Sequence, residues 1–341
     1  MRKRSGRSIA VGLGFNVYLE LTTQYQRSES RKVAAHDYLM APASGAANIA
    51  ATLKILDKNS SIDCHVFFIT GPKEPKRYPL GAKLAEGLMC EMKKKNIILH
   101  PYALRKQLPI SNNIIEHDRR GQILYERGIV YRPKYKINKK GAKNIAEDVY
   151  KELAGQDSWL VLASLTPDDV VLSRTILQHV KIAKKVVILS GDLIKSQDHK
   201  LREARNKIIE SADYLIQNEE EAKLLLGKRE SEHLIKDLQS VTKKNVVITL
   251  AEKGAIAQTD TKQFLCQPAF RVKAVDSTGV GDAFIGGFVY ACCMGKDFQE
   301  ALRWGAACGA VQATKLGGQP KITRKEVEKM LKKKRVIYGS N

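Results

Sequence analysis

Residues 274–284 read AVDSTGVGDAF: Gly279 and Gly281 flank Val280, Asp282 follows, and the apolar run AFIGGFVYA then begins. Glycines allow close backbone approach, and the first amides of a helix have no partners of their own. Together they make an anion site, with the helix dipole pointing the favourable way. An acid in a first helical turn is ordinarily a cap, worth about 0.5–2 kcal/mol. That plain reading of Asp282 competes with a chemical one, in which a carboxylate beside an anion site takes a proton. The setting favours the chemical reading. The stretch follows a strand-like segment, lies late in the chain, and precedes a helix whose Gly286-Gly287 pair permits close packing.

Outward from this stretch, short apolar runs alternate with longer helical patterns, the βαβ rhythm of a mainly parallel sheet. The strand candidates are Ser8 to Val11, HVFFI (65–69), WLVLA (159–163), VVIL (186–189), YLIQ (214–217) and VVITL (246–250). Being apolar throughout, they suit strands covered on both faces. Helical patterns occupy 45–56, 80–95, 142–154, 168–180, 200–211, 219–226, 231–242, 282–294, 298–313 and 323–334. Pro167 with Asp168 and Asp169 makes a good helix start, since proline fits the first turn and acids suit its positive end. Residues 15–40 and 105–132 break the rhythm with alternating polar and apolar positions. NNIIEHDRRGQILYERG reads as a hairpin turning at Asp118 to Gly121. Both regions are expected to form strands of a small separate sheet.

The 341 residues suffice for one large α/β domain with a sizeable core. The 43% apolar content and mean hydropathy of −0.30 fit a globular protein and argue against disorder. Lysine and arginine number 58 against 36 acids, a net charge of +22. These basic residues are scattered in short runs, without zinc-finger spacing or an aromatic-interleaved basic motif. A solvated basic surface is the expectation, and nucleic acid is not an expected partner. No cysteine pair forms C-x-x-C, so buried free thiols in a reducing compartment are expected. The N-terminal stretch is interrupted by Asn16 and Glu20, unlike a signal peptide. The apolar run from Ala283 to Gly295 is too short to span a bilayer. A cytoplasmic location without membrane contact is the reading.

The segment from Asp276 to Asp282 resembles the D-T-x-G-A-G-D signature of the ribokinase-like (PfkB) family of carbohydrate and nucleoside kinases. The resemblance extends along nearly the whole chain. ASGAANIAATLKIL (43–56) looks like the family's Gly-rich segment ending in Asn, followed by a helix. NEEE (218–221) is similar to its N-x-x-E element. TLAEKG (249–254) resembles its T-L-G-x-x-G nucleotide loop, and GAACGAVQATKLGGQP (305–320) its last nucleotide-side helix.

The resemblance implies a three-layer α/β/α fold with a mainly parallel central sheet, one kinase domain over residues 1–341, and a small β lid from 15–40 and 105–132. It implies transfer of the ATP γ-phosphoryl group to a hydroxymethyl oxygen of a sugar. Asp282 would be the general base, and the Gly279, Val280 and Gly281 amides the anion hole. Asn218, Thr249, Gly254, Thr278 and Gly309 would border the nucleotide, and Asn16, Gly45, Asn48 and Asp282 the sugar. Asn218 and Glu221 would organise Mg2+ through water, and Asp276 with Thr278 would lie beside a K+ ion. A homodimer through the lid is common among relatives. A nucleoside kinase and an altered kinase-scaffold binding protein stay open as alternatives.

Departures from the family pattern are concrete. Asn16 and Tyr18 stand where an aspartate binds substrate hydroxyls in relatives. Ala251 replaces the first glycine of the nucleotide loop. TGPKEPKRYPLG stands in place of the usual acidic pair, so Lys73, Lys76 and Arg77 face an anionic substrate or, more plainly, solvent. GLGFNV after the first strand resembles a dinucleotide fingerprint, but Val17 takes the final glycine position and no helix pattern follows. Gly305 and Gly309 either line a nucleotide pocket or let two helices approach. Glu116 and His117 sit in the expected lid, where Glu116 reaches a sugar hydroxyl or simply occupies an exposed strand position.

Overall fold

β1 (Arg7–Gly12) buries Ile9 and Val11 completely, as a strand covered on both faces requires. The computed structural model describes residues 7–12, 18–26, 37–117, 123–154, 157–227 and 233–333. β2 (Tyr18–Gln26) and β3 (Asp37–Ala43) lead into α1 (Gly45–Leu56), which Ser44 caps by accepting the Ala47 amide. β4 (Ile62–Thr70), α2 (Pro79–Lys93) and β5 (Ile98–Ala103) follow, then β6 (Ile110–His117) and β7 (Ile123–Tyr131). The chain continues through α3 (Lys139–Glu152), β8 (Trp159–Leu165), α4 (Val170–His179), β9 (Lys184–Leu189), α5 (Gly191–Lys195) and α6 (His199–Glu210). Next come β10 (Tyr214–Asn218), α7 (Glu219–Leu225), α8 (Leu234–Thr242) and β11 (Asn245–Thr249). The hairpin β12 (Ala255–Gln258) and β13 (Phe264–Gln267) precedes α9 (Val280–Cys293), α10 (Phe298–Gln312) and α11 (Arg324–Leu331).

The main sheet has the order β13-β12-β11-β10-β9-β8-β1-β4-β5. All its pairs are parallel except β11–β12 and β12–β13. Helix α1 packs on β1, β4 and β8 and against α9, which packs on α10; α3 and α4 pack together and reach β1 and β8. Five of the six sequence-read core strands fall inside observed ones, and the sixth, read as 246–250, runs one residue past the end of β11 at Thr249. β5, β12, β13 and α5 had no clear signal. β5 is an edge strand of half-exposed residues containing Pro101, and β12 and β13 are four residues each, too short for a periodicity to register.

Chain order reverses at β1: β4 and β5 lie on one side, β8 to β11 on the other. In such sheets ligands bind beyond the carboxyl ends of the strands at the reversal. A second sheet, ordered β3-β2-β6-β7, arises from the two regions whose patterning departs from the βαβ rhythm. β6 and β7 pair antiparallel from Ile110↔Tyr131 to His117↔Ile123, with a register shift at Glu116/His117. The turn expected at Asp118 to Gly121 lies outside the described residues, as do Asn16 and Val17.

The six cysteines are free thiols, but burial is only partly as expected: Cys64, Cys293 and Cys308 are buried, while Cys90 and Cys266 are exposed. No helix among the described residues is long and apolar enough to cross a membrane.

Candidate active site

Helix α9 begins after Gly279, whose φ of 73° is left-handed. A side chain there is excluded twice over, since a Cβ would also meet the Gly318 carbonyl oxygen at 2.2 Å. Asp282 therefore lies in the first turn, yet it makes no capping bond to that turn. Its Oδ2 instead accepts Nδ2 of Asn48, on α1, at 2.8 Å. Helices α1 and α9 meet because Gly286 of α9 carries no side chain, and Gly287 does the same for α10. A Cβ at the first would lie 2.6 Å from Thr52 Cβ of α1, and at the second 2.6 Å from Cys308 Sγ of α10. Burial raises the Asp282 pKa to about 6, and the Asn48 hydrogen bond opposes that rise. Asn48 is itself buried, and its Oδ1 has no partner among the described residues.

Of the three expected anion-binding amides, those of Gly279 and Gly281 meet no acceptor among the described residues. Val280 differs: its N–H donates to Ser277 O at 3.3 Å, closing a turn. The three-amide hole is thus two open amides and one weakly engaged. Asp276 is fully buried, with Oδ1 accepting Thr278 N at 2.7 Å and Oδ2 accepting Gly317 N at 2.6 Å. It ties the turn before α9 to the segment after α10.

Gly45 opens α1 directly beside the carboxylate. A Cβ at Gly45 would sit 3.4 Å from Asp282 Oδ1 and 2.7 Å from Ser164 Oγ. Ser164 is a site residue the sequence reading passed over. It holds a left-handed φ of 50°, and the β8–β9 register shifts between Leu162 and Leu165. Non-glycine residues adopt that conformation at a cost, and such outliers cluster at functional sites. The available signal was one hydroxyl interrupting the otherwise apolar WLVLASL.

Asn218 and Glu221 stand at the carboxyl end of β10. Asn218 Oδ1 accepts the Glu221 amide at 2.8 Å, and Glu221 Oε2 accepts the Asn218 amide at 3.3 Å, a reciprocal capping box. Burial lifts the Glu221 pKa to about 7, and the charges of Glu220 and Asp282 add to the rise. Thr249 ends β11, and Gly254 closes the following loop by accepting the Leu250 amide at 2.8 Å. Ala251 takes a left-handed φ of 49° there, where a glycine would be unstrained.

Gly309 faces α9: a Cβ added to it would lie 3.4 Å from Val280, and one at Gly305 2.9 Å from Phe284 O. Gly305 thus serves the close approach of α10 to α9, whereas a side chain at Gly309 would make only ordinary contact with Val280. Lys73, Lys76 and Arg77 are exposed. A second polar cluster lies beyond β8. Asp169 is fully buried, accepting Thr166 N at 2.8 Å, Thr166 Oγ1 at 2.6 Å and Tyr135 OH at 2.8 Å. The guanidinium of buried Arg105 stacks 4.8 Å from the centre of the Tyr135 ring and donates to Pro133 O. This cluster anchors the chain returning from β7 to the main sheet.

Known structures share this architecture. A ribokinase from Thermotoga maritima aligns with a TM-score of 0.67 at 23% identity, over 96% of this chain and 99% of that one. Phosphofructokinase-2 from Escherichia coli, in complex with potassium, aligns with a TM-score of 0.70 at 15% identity, over 96% and 98%. At such identities the likeness defines the ribokinase fold. The model of the pfkB family carbohydrate kinases matches residues 79–325, and the chain belongs to that family. Ribokinase from Haemophilus influenzae is 31% identical over 182 residues, 50% of this chain and 58% of the relative. Probable fructokinase-5 of Arabidopsis thaliana is 33% identical over 144 residues, 39% of this chain and 43% of the relative. The matched part thus spans about half the length of these curated relatives.

Proposed function

We propose that this protein is a sugar kinase, transferring the γ-phosphoryl group of ATP to a hydroxymethyl oxygen. The observation that carries the reading is the Asn48–Asp282 hydrogen bond, which holds a carboxylate of pKa about 6 beside open amides at the start of α9. The sugar-kinase names of the matched relatives point the same way.

Phosphoryl transfer asks the protein for positioning and charge stabilisation more than for covalent chemistry. Asp282 takes the proton of the attacking hydroxyl through Oδ1, since Oδ2 is engaged by Asn48. The amides of Gly279 and Gly281 face charge on the transferring group, and Val280 joins them by releasing its turn bond. The unpartnered Asn48 Oδ1 accepts a sugar hydroxyl, and Gly45, beside Asp282 Oδ1, is assigned to the same sugar. Asn16 precedes β2 in the chain and is assigned to the same sugar.

Asn218 and Glu221 offer oxygens that suit magnesium, held through its water shell. Bound there, the ion would neutralise phosphate charge. Asn218, Thr249, Gly254, Thr278 and Gly309 are assigned to border the nucleotide. Asp276 and Thr278 are assigned to border K+, and the potassium named with phosphofructokinase-2 supports this assignment. The second sheet is the lid, and its edges β3 and β7 offer a dimer contact. Six free thiols suit the cytoplasm.

A coupled assay of ADP release over a panel of sugars and nucleosides, with Mg2+, tests the proposal. Turnover of at least one sugar, lost in Asp282→Asn, is expected. Turnover of nucleosides alone would replace the substrate class, and ATP binding without turnover across the panel would replace catalysis with a scaffold role.

A further inference from the structure

Away from the cleft, β4, β5 and the end of α3 bring His65, His100 and Glu152 together. His65 Nδ1 lies 3.1 Å from His100 Nε2 and 3.5 Å from Glu152 Oε2. One ligand atom of each residue lies within 4.8 Å of the other two, and no other such trio occurs among the described residues.

Sheet register accounts for the contact. Phe67 is paired with His100, and their rings stack with centroids 4.1 Å apart. His65, two residues before Phe67, lies on the same face and diagonally next to His100. On α3, Asp148 and Glu152 are one turn apart on a single face. Asp148 Oδ2 accepts Tyr102 OH at 2.9 Å, which holds this helix over β5 and leaves Glu152 at the imidazoles. His65 is buried, while His100 and Glu152 keep partial exposure, so an ion could reach the trio from solvent.

We propose that His65, His100 and Glu152 form a binding site for a zinc-type transition ion. Two imidazoles and one carboxylate suit such an ion and not magnesium, which prefers oxygen. A tetrahedral centre with bonds of about 2.0–2.1 Å spaces its ligands by about 3.4 Å, between the two observed separations. Thr70 ends β4 five residues beyond His65, roughly 16 Å of strand, so the ion would clamp α3 to the sheet and not act on substrate. The site is independent of the kinase reading.

Zinc titration of chelator-stripped full-length protein, against a chromophoric competitor and with excess Mg2+, tests the proposal. One equivalent per chain, a zinc-dependent rise in melting temperature and visible absorption bands with Co2+ are expected. His100→Ala and Glu152→Gln should each weaken zinc at least about 10-fold and remove the thermal shift. Melting of the ion-free variants close to ion-free wild type separates lost binding from lost folding. Absence of stoichiometric zinc in the wild type would overturn the site. Undiminished binding in both variants would do the same, moving the ion to the exposed thiols of Cys90 or Cys266.

Discussion

Asn48 Nδ2 and Asp282 Oδ2 are 2.8 Å apart, though 234 residues separate them in the chain. The contact fixes one carboxylate oxygen at the mouth of α9 and leaves the other for a substrate. It also lowers the pKa that burial raises. Asn48→Ala should therefore move the acidic limb of the kcat/KM profile to higher pH and reduce kcat/KM by about 10–100-fold. Initial rates from pH 5 to 8 measure this, and an unmoved limb would detach Asn48 from Asp282.

Asp282→Asn should lower kcat by about 10²–10⁴-fold while stabilising the folded protein at pH 8. The folded pKa of about 6 exceeds the ordinary 3.8, so the native state holds its proton more tightly than the unfolded chain. That contribution is complete below pH 3.8 and is lost as pH rises through about 6. The ionised group then costs about 2–3 kcal/mol, which the neutral amide avoids. Thermal melts at pH 5 and pH 8 check it: the gain over wild type should be larger at pH 8.

Gly45→Ala should cripple turnover, because its Cβ would lie 2.7 Å from Ser164 Oγ and crowd Asp282. Removing the hydroxyl should relieve the clash, and glycine also suits the left-handed φ of 50° at that position. The double variant Gly45→Ala/Ser164→Gly should thus recover at least about 10-fold of the lost kcat/KM, and absence of recovery would show that the Ser164 clash is not the cause of the defect. A double-mutant cycle reads the coupling directly.

Ala251→Gly should stabilise the fold by about 0.5–1 kcal/mol. Relief of a left-handed alanine at φ 49° outweighs the added freedom of glycine in the unfolded chain. Denaturant midpoints at constant slope measure it. A loss of stability would mean that the loop derives more from the alanine methyl than the backbone strain costs.

Much was legible in advance because it is local. The pattern at 45–56 marks α1 with the same ends as the structure, since periodicity and the Ser44 cap depend on residues a few positions away. The glycines at 279 and 281 and the apolar strands announced a helix mouth and a covered sheet for the same reason, whereas the capping box at Asn218 and Glu221 was seen only in the structure. What the tertiary structure alone decided is which distant groups meet. Strand order brings Ser164 under Gly45, Gly286 lets Asn48 reach Asp282, and Val280 spends its amide on a turn. His65, His100 and Glu152 carry no shared sequence motif, and only the β4–β5 register with the path of α3 collects them. Local sequence selects elements through short-range sterics and burial, whereas a site depends on contacts across hundreds of residues, and those exist only once the sheet is ordered and its helices are packed.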